Sequence, residues 1–258
     1  MNILVTNDDG VHAEGLWALV RELKIIGGVT VVAPDGERSA IGTAVTLFEA
    51  LHASEVCGLE DGVTAYAIDG SPSDCVILAL GKLITDKVDI VVSGINPSLN
   101  LGEDVYISGT VGAAMQGYFR GLPALAVSAP PGSATAVKTA AHAAAALVKN
   151  MTAHHPARIF LNMNVPDLPL EEIKGVKITR LARSSHINTV AEETNEKLKQ
   201  YRLVRERVAE SGSDGTDIQA IVQGYISITA LYTSLLDKPP QHLLKKLSSE
   251  LTHELKKE

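Results

Sequence analysis

Short aliphatic runs, each ended by a polar or glycine-bearing turn, fill the first two thirds of the chain. Residues 2–6 (NILVT) read as a buried strand that stops at Asn7-Asp8-Asp9-Gly10. Residues 13–26 place Leu16, Leu19, Val20 and Leu23 at helical spacing, and Gly27-Gly28 closes that helix. Residues 29–33 (VTVVA) give the next strand, so the opening segment predicts one strand–helix–strand unit with a right-handed crossover. Residues 43–69 read as hairpin material. Ser71 with Pro72 signals a helix start, and the helix is expected to run to about residue 83. Strands follow at 88–93 (VDIVVS), 124–128 (ALAVS) and 158–164 (RIFLNMN). Between them lie a helix capped by Ser108 and running to Gly121, and an Ala-rich helix over 133–150.

This alternation predicts an α/β fold, a Rossmann-like doubly wound and mostly parallel sheet, over residues 1–183. The pattern weakens over 184–258, read as a C-terminal extension of hairpin, returning strand and terminal helix. Residues 184–200 are polar without a clear period; 201–208 and 225–229 (YISIT) read as strands. From residue 241, Leu244, Leu247, Leu251 and Leu255 share one helical face that requires a partner, either the chain's own core or a second subunit.

Composition sharpens this. Hydrophobic residues make up 45% of the 258, but aromatics only 4%, so aliphatic side chains must fill the core, as in a sheet covered on both faces. A net charge of −7 argues against a nucleic-acid groove, yet leaves room for a small anion if a cation is bound. Cys57 and Cys75 lack CxxC spacing and read as partly buried thiols. The start of the chain has no leader pattern, and no apolar run approaches the ~20 residues of a membrane span, so the expected compartment is the cytoplasm.

Ligands of open α/β sheets bind beyond the carboxyl ends of the strands. There the sequence places Asp8 and Asp9 after the first strand, Glu37-Arg38-Ser39 after the second, and Asn96 then Asn100 after the VDIVVS strand. Asp-Asp-Gly alone is a common surface turn. Its position directly after a buried strand, with Ser39 and Asn96 in matching loops, favours a site. Two adjacent carboxylates are costly to bury unless a cation compensates them, and all-oxygen donors suit Mg²⁺ or Mn²⁺. Ser108-Gly109-Thr110 opens a helix whose free N–H groups suit a phosphate, although simple capping by Ser108 accounts for the serine alone. GxGxxG, GxxxxGK[ST] and GxSxG are all absent, which disfavours dinucleotide binding, P-loop chemistry and a nucleophile elbow.

The stretches ILVTNDDGVHAEG (3–15), VVAPDGERSAIG (31–42), DGSPSDCV (69–76), VSGINPSLNLGEDVYISGTVGAAMQG (92–117), LNMNVP (161–166) and GYISIT (224–229) together resemble the SurE family of nucleoside 5′-monophosphate phosphatases. The resemblance implies one divalent cation per subunit, Mg²⁺ or Mn²⁺, on Asp8, Asp9, Ser39 and Asn96, with Asp8 and Asp9 as the catalytic pair. It implies Asn100, Ser108, Gly109 and Thr110 on the phosphate or substrate side, and a C-terminal extension exchanged in a homodimer or homotetramer. The expected activity is metal-dependent hydrolysis of nucleoside 5′-monophosphates, with no nucleic-acid or membrane partner. Receiver-like signalling and metal-dependent nucleotide binding without turnover are the rivals. Many relatives carry Arg-Gly after the loop asparagine, where this chain has Pro97-Ser98. His12 is read as a loop histidine, Arg38 as either a phosphate-steering group or a surface charge, and His154-His155 as surface residues.

Overall fold

Ile3, Leu4 and Val5 are fully buried, and the strand they form, β1 (Asn2–Thr6), lies in the interior of a nine-stranded sheet. The structure, a computed structural model, describes residues 1–153, 159–183, 186–195, 198–207 and 213–231. After β1 come α1 (Glu14–Leu23), β2 (Gly28–Pro34), β3 (Ala53–Glu55), β4 (Thr64–Ile68) and α2 (Pro72–Leu78), the last continued by a π-helical turn over Ala79–Leu83. Then follow β5 (Ile90–Asn96), α3 (Gly109–Phe119), β6 (Ala124–Ser128), α4 (Ala134–Ala153), β7 (Phe160–Asn164) and β8 (Val176–Thr179). The described chain ends with β9 (His186–Asn195), β10 (Leu198–Arg207), α5 (Asp217–Val222) and β11 (Ile226–Ala230).

The sheet order is β3-β4-β2-β1-β5-β6-β7-β11-β8. Pairs from β4 to β7 are parallel, whereas β3 on β4 and β11 on β7 are antiparallel. Leu16, Leu19 and Leu23 of α1 share one core with Ala140, Ala144 and Val148 of α4. On the other side, Cys75 and Val76 of α2 and Ala113 of α3 pack with Leu4, Val32 and Val91. Each central strand is therefore covered twice, which is why its sequence is an aliphatic run rather than an alternation. Among the described residues no helix is long and apolar enough to cross a membrane.

Three expectations need correcting. Residues 43–52 do not extend the β3–β4 hairpin. That segment is held by polar side chains: Asp74 accepts from the Thr46 amide and hydroxyl, and the Ser71 hydroxyl donates to the Ala44 carbonyl. Residues 186–195, read as lacking period, form β9, which pairs with β10 along ten residues in a separate two-stranded sheet. Val190, Tyr201 and Leu203 there are all more than 60% exposed, so the hairpin has no buried face to impose alternation. Of the two thiols, Cys75 is fully buried but Cys57 is exposed. The leucine-striped segment from 241 and His154-His155 lie outside the described residues.

Candidate active site at the carboxyl ends of the strands

The loop after β1 is folded by its own asparagine. Asn7 Nδ2 donates to the Gly10 carbonyl at 2.9 Å, and Asn7 Oδ1 accepts from the Gly10 amide at 3.2 Å. Gly10 has φ of +100°, and a Cβ there would lie 3.1 Å from the backbone of Gly36, so a glycine suits both the turn and the close approach of the next loop. The Arg38 amide donates to the Asp8 carbonyl at 2.7 Å, tying the loop after β2 to the aspartate pair.

Asp8 is 3% exposed, and its Oδ1 accepts from the Thr110 hydroxyl at 2.6 Å. A Cβ on Gly109 would fall 2.8 Å from Asp8 Cβ, so the first turn of α3 lies directly against Asp8. The Ser108 hydroxyl accepts from the Val111 amide and caps the helix. Thr110 is fully buried with its hydroxyl committed to Asp8, while Ser108 borders the cleft described below.

Asn96 ends β5 and is buried; its Nδ2 donates to the Ser98 carbonyl, so its Oδ1 is not used in that bond. Asn100 is held from β7. Its amide donates to Asn164 Oδ1, and its carbonyl accepts from Asn162 Nδ2 and Asn164 Nδ2. Its own side chain donates to the Ser128 hydroxyl at 3.0 Å. Asp217 pins the following turn by accepting from the amides of Gly102, Ala182 and Ile218 at 2.8–2.9 Å.

Asp8, Ser39, Asn96, Asn100 and Ser108 come together around a cleft of about 280 Å³. Asp104, His186 and Arg205 complete its wall. Asp104 Oδ2 lies 2.9 Å from His186 Nδ1, and Asp104 Oδ1 accepts from Arg205 Nη2. The hairpin thus contributes two basic side chains to the cleft. Asp9 does not border it. It opens instead, with His12, on a groove between α1 and α4. Arg38 faces Asp35 at 3.0 Å.

Burial pushes the Asp9 carboxyl up to about 7, reinforced by the charges of Asp8 and Glu37. Burial also raises Asp8, opposed by the Thr110 hydrogen bond. Asp9 Oδ2 is buried without a hydrogen-bond partner among the described residues. Asp8 at the cleft with the Ser39 hydroxyl and the Asn96 amide, and next to it the raised Asp9 carboxyl with an orphaned oxygen, are oxygen donors of the kind that suits a hard divalent cation. Among the described residues no three His, Cys, Asp or Glu side chains form a metal cluster, so a cation held here would also need Ser39 and Asn96. The Ser39 hydroxyl otherwise donates to Glu37 Oε1 at 3.0 Å.

Sequence reasoning missed Asp104, His186, Arg205 and Asp217, which are recruited from distant elements. Asn162 and Asn164 did carry a signal: LNMN sets two amides in a strand whose neighbours are buried.

Residues 3–188 match the family described as Survival protein SurE. The chain is 47% identical over 243 residues to a 5′-nucleotidase SurE of Dehalococcoides mccartyi, covering 93% of this chain and 92% of the relative. It is 41% identical to a 5′-nucleotidase SurE of Haemophilus influenzae with both chains covered in full. The crystal structure of the Sure protein from Aquifex aeolicus superposes with a TM-score of 0.83 at 33% identity, covering 96% of this chain and 100% of that one. With Asp8, a serine loop and a paired-asparagine loop meeting at the strand ends, and with matches of this extent, the chain belongs to the SurE family.

Proposed function

We propose that the chain is a phosphoric monoester hydrolase, a 5′-nucleotidase that releases phosphate from nucleoside 5′-monophosphates with a divalent cation, Mg²⁺ or Mn²⁺. The observation that carries this reading is the buried Asp8, next to the half-buried Asp9, set against the first turn of α3, where a carboxylate and an anion-attracting helix end face each other. Asp8, Asp9, Ser39 and Asn96 would hold the cation, which when bound supplies charge neutralisation at the phosphoryl oxygens.

The chain's own residues have separable roles. Thr110 fixes one oxygen of Asp8, leaving that carboxylate oriented. Asp8, which borders the cleft, or its neighbour Asp9 accepts a proton from the attacking water. Ser108 and the N–H groups opening α3 bind phosphoryl oxygens, and Asn100, locked by Asn162 and Asn164, sets the far wall. Residues 1–183 act as the catalytic core, and 184–258 as an extension used in a homodimer or homotetramer in the cytoplasm.

The test is phosphate release from a panel of nucleoside 5′-monophosphates with Mg²⁺, Mn²⁺ or chelator, in the unsubstituted protein and in Asp8→Asn and Asp9→Asn. Release that requires metal and collapses in both variants is the expected result. Folded, metal-loaded protein that releases none is a nucleotide-binding module instead.

A further inference from the structure

The cleft bordered by Asp8, Ser39, Asn96 and Ser108 is small. At about 280 Å³ it falls below the ~300–1,000 Å³ usual for small-molecule sites, so a whole nucleotide must extend beyond it. Two larger spaces lie nearby. The groove between α1 and α4, which Asp9 lines, shares no lining residue with the cleft. A chamber of about 370 Å³ shares four of them: Ser98, Leu99, Asp104 and His186. The chamber continues the cleft, and the His186–Asp104 pair stands at the junction.

The walls of that chamber are mostly apolar. Leu99, Leu101, Pro130, Pro131, Pro166 and Ile221 present apolar surface, and the prolines bring no N–H donor. Its two carboxylates already have partners: Asp104 takes Arg205 and His186, and Asp167 accepts from the Ser133 hydroxyl. A phosphate would meet two acidic groups there, whereas a flat, weakly polar ring meets hydrocarbon with a few polar groups at the rim.

We infer that this chamber binds the nucleoside half of the substrate, with the base against Leu99, Pro131 and Ile221 and the sugar passing the His186–Asp104 pair. His186 and Ile221 are then specificity-determining residues, supplied by β9 and α5 rather than by the central sheet. The inference rests on the 5′-nucleotidase reading for its substrate, but its test does not depend on turnover.

Ile221→Trp narrows the chamber and His186→Ala removes the junction. For each, kcat/KM for AMP is compared with that for glycerol phosphate, a phosphomonoester without a base. Adenosine binding is measured separately by calorimetry. The AMP-to-glycerol-phosphate ratio is expected to fall at least ~10-fold in Ile221→Trp through KM, with adenosine affinity falling by a similar factor, roughly what a single small apolar group is worth in a hydrophobic pocket. His186→Ala is expected to move the same ratio in the same direction and serves alone if the tryptophan variant does not fold. A ratio and an adenosine affinity within twofold of the parent in the folded variants overturn the inference. If the parent releases no phosphate from any ester, the nucleotidase reading fails. The chamber is then decided by adenosine alone: binding abolished by Ile221→Trp supports it, and no binding to the parent overturns it.

Discussion

The Thr110 hydroxyl and Asp8 Oδ1 meet at 2.6 Å across 102 residues of sequence, joining the first turn of α3 to the loop after β1. Both residues are buried, and the bond stabilises a carboxylate that burial alone would drive toward its neutral form. Thr110→Val keeps the shape and removes the donor. Partners that orient a ligating carboxylate are commonly worth ~10–100-fold in metal affinity or activity. A loss in that range is expected, read by Mn²⁺ titration and by kcat, with the fold retained by circular dichroism.

Gly109 would normally gain from replacement by alanine, since glycine inside a helix costs ~1 kcal/mol. Here the added methyl would meet Asp8 Cβ at 2.8 Å and Oδ2 at 2.9 Å. Gly109→Ala is therefore expected to destabilise by about 1–3 kcal/mol and to displace Asp8. Urea unfolding reads the first effect and Mn²⁺ affinity the second.

Asp9 gives the metal-free protein a pH dependence. Its carboxyl lies at about 7 in the folded chain against an ordinary 3.8, so between those values the folded form holds more protons than the unfolded form. Stability should fall as pH rises through that window and level off above it. In chelator the melting temperature is expected to drop from pH 5 to pH 8, and Asp9→Asn should flatten the decline. Added Mg²⁺ or Mn²⁺ should raise the melting temperature more at pH 8 than at pH 5, because the ionised pair binds it better.

Asn164 bonds to the backbone of Asn100 through both ends of its amide, at 2.9 and 3.0 Å. Asn164→Leu leaves the Asn100 amide unsatisfied in a buried place, at a cost of ~1–3 kcal/mol. Activity is expected to fall through kcat more than KM, because the loop carrying Asn100 loses its seat. A variant with unchanged kcat and normal stability would show that Asn162 alone holds the loop.

Local pattern carried the central elements well. Residues 2–6 and 124–128 were bounded to the residue because a buried strand between turns has little freedom in length or face. Ser71-Pro72 announced a helix start that the structure completes as a capping box with Asp74. Of the two-stranded hairpin, the strand over 201–208 was read, but its first strand, His186–Asn195, was obscure for the opposite reason, since its exposed faces place no demand on the sequence. Asp8, Ser39, Asn96, Asn100 and Ser108 were legible because strand ends converge in this topology. Asp104, Arg205 and His186 were not, because a polar pairing 101 residues apart leaves no periodic trace.

The clamp on the Asn100 loop also sets an order of events on the ribosome. Every candidate cation and phosphate ligand has been synthesised by residue 110, yet the side chains that hold the Asn100–Gly102 backbone arrive at positions 162, 164 and 217. A nascent or truncated chain ending before Asn162 carries the acidic pair and its helix end without any of the side chains that anchor the opposite wall. Competence is therefore gained late in translation, and premature products retain the ligands without the finished cleft.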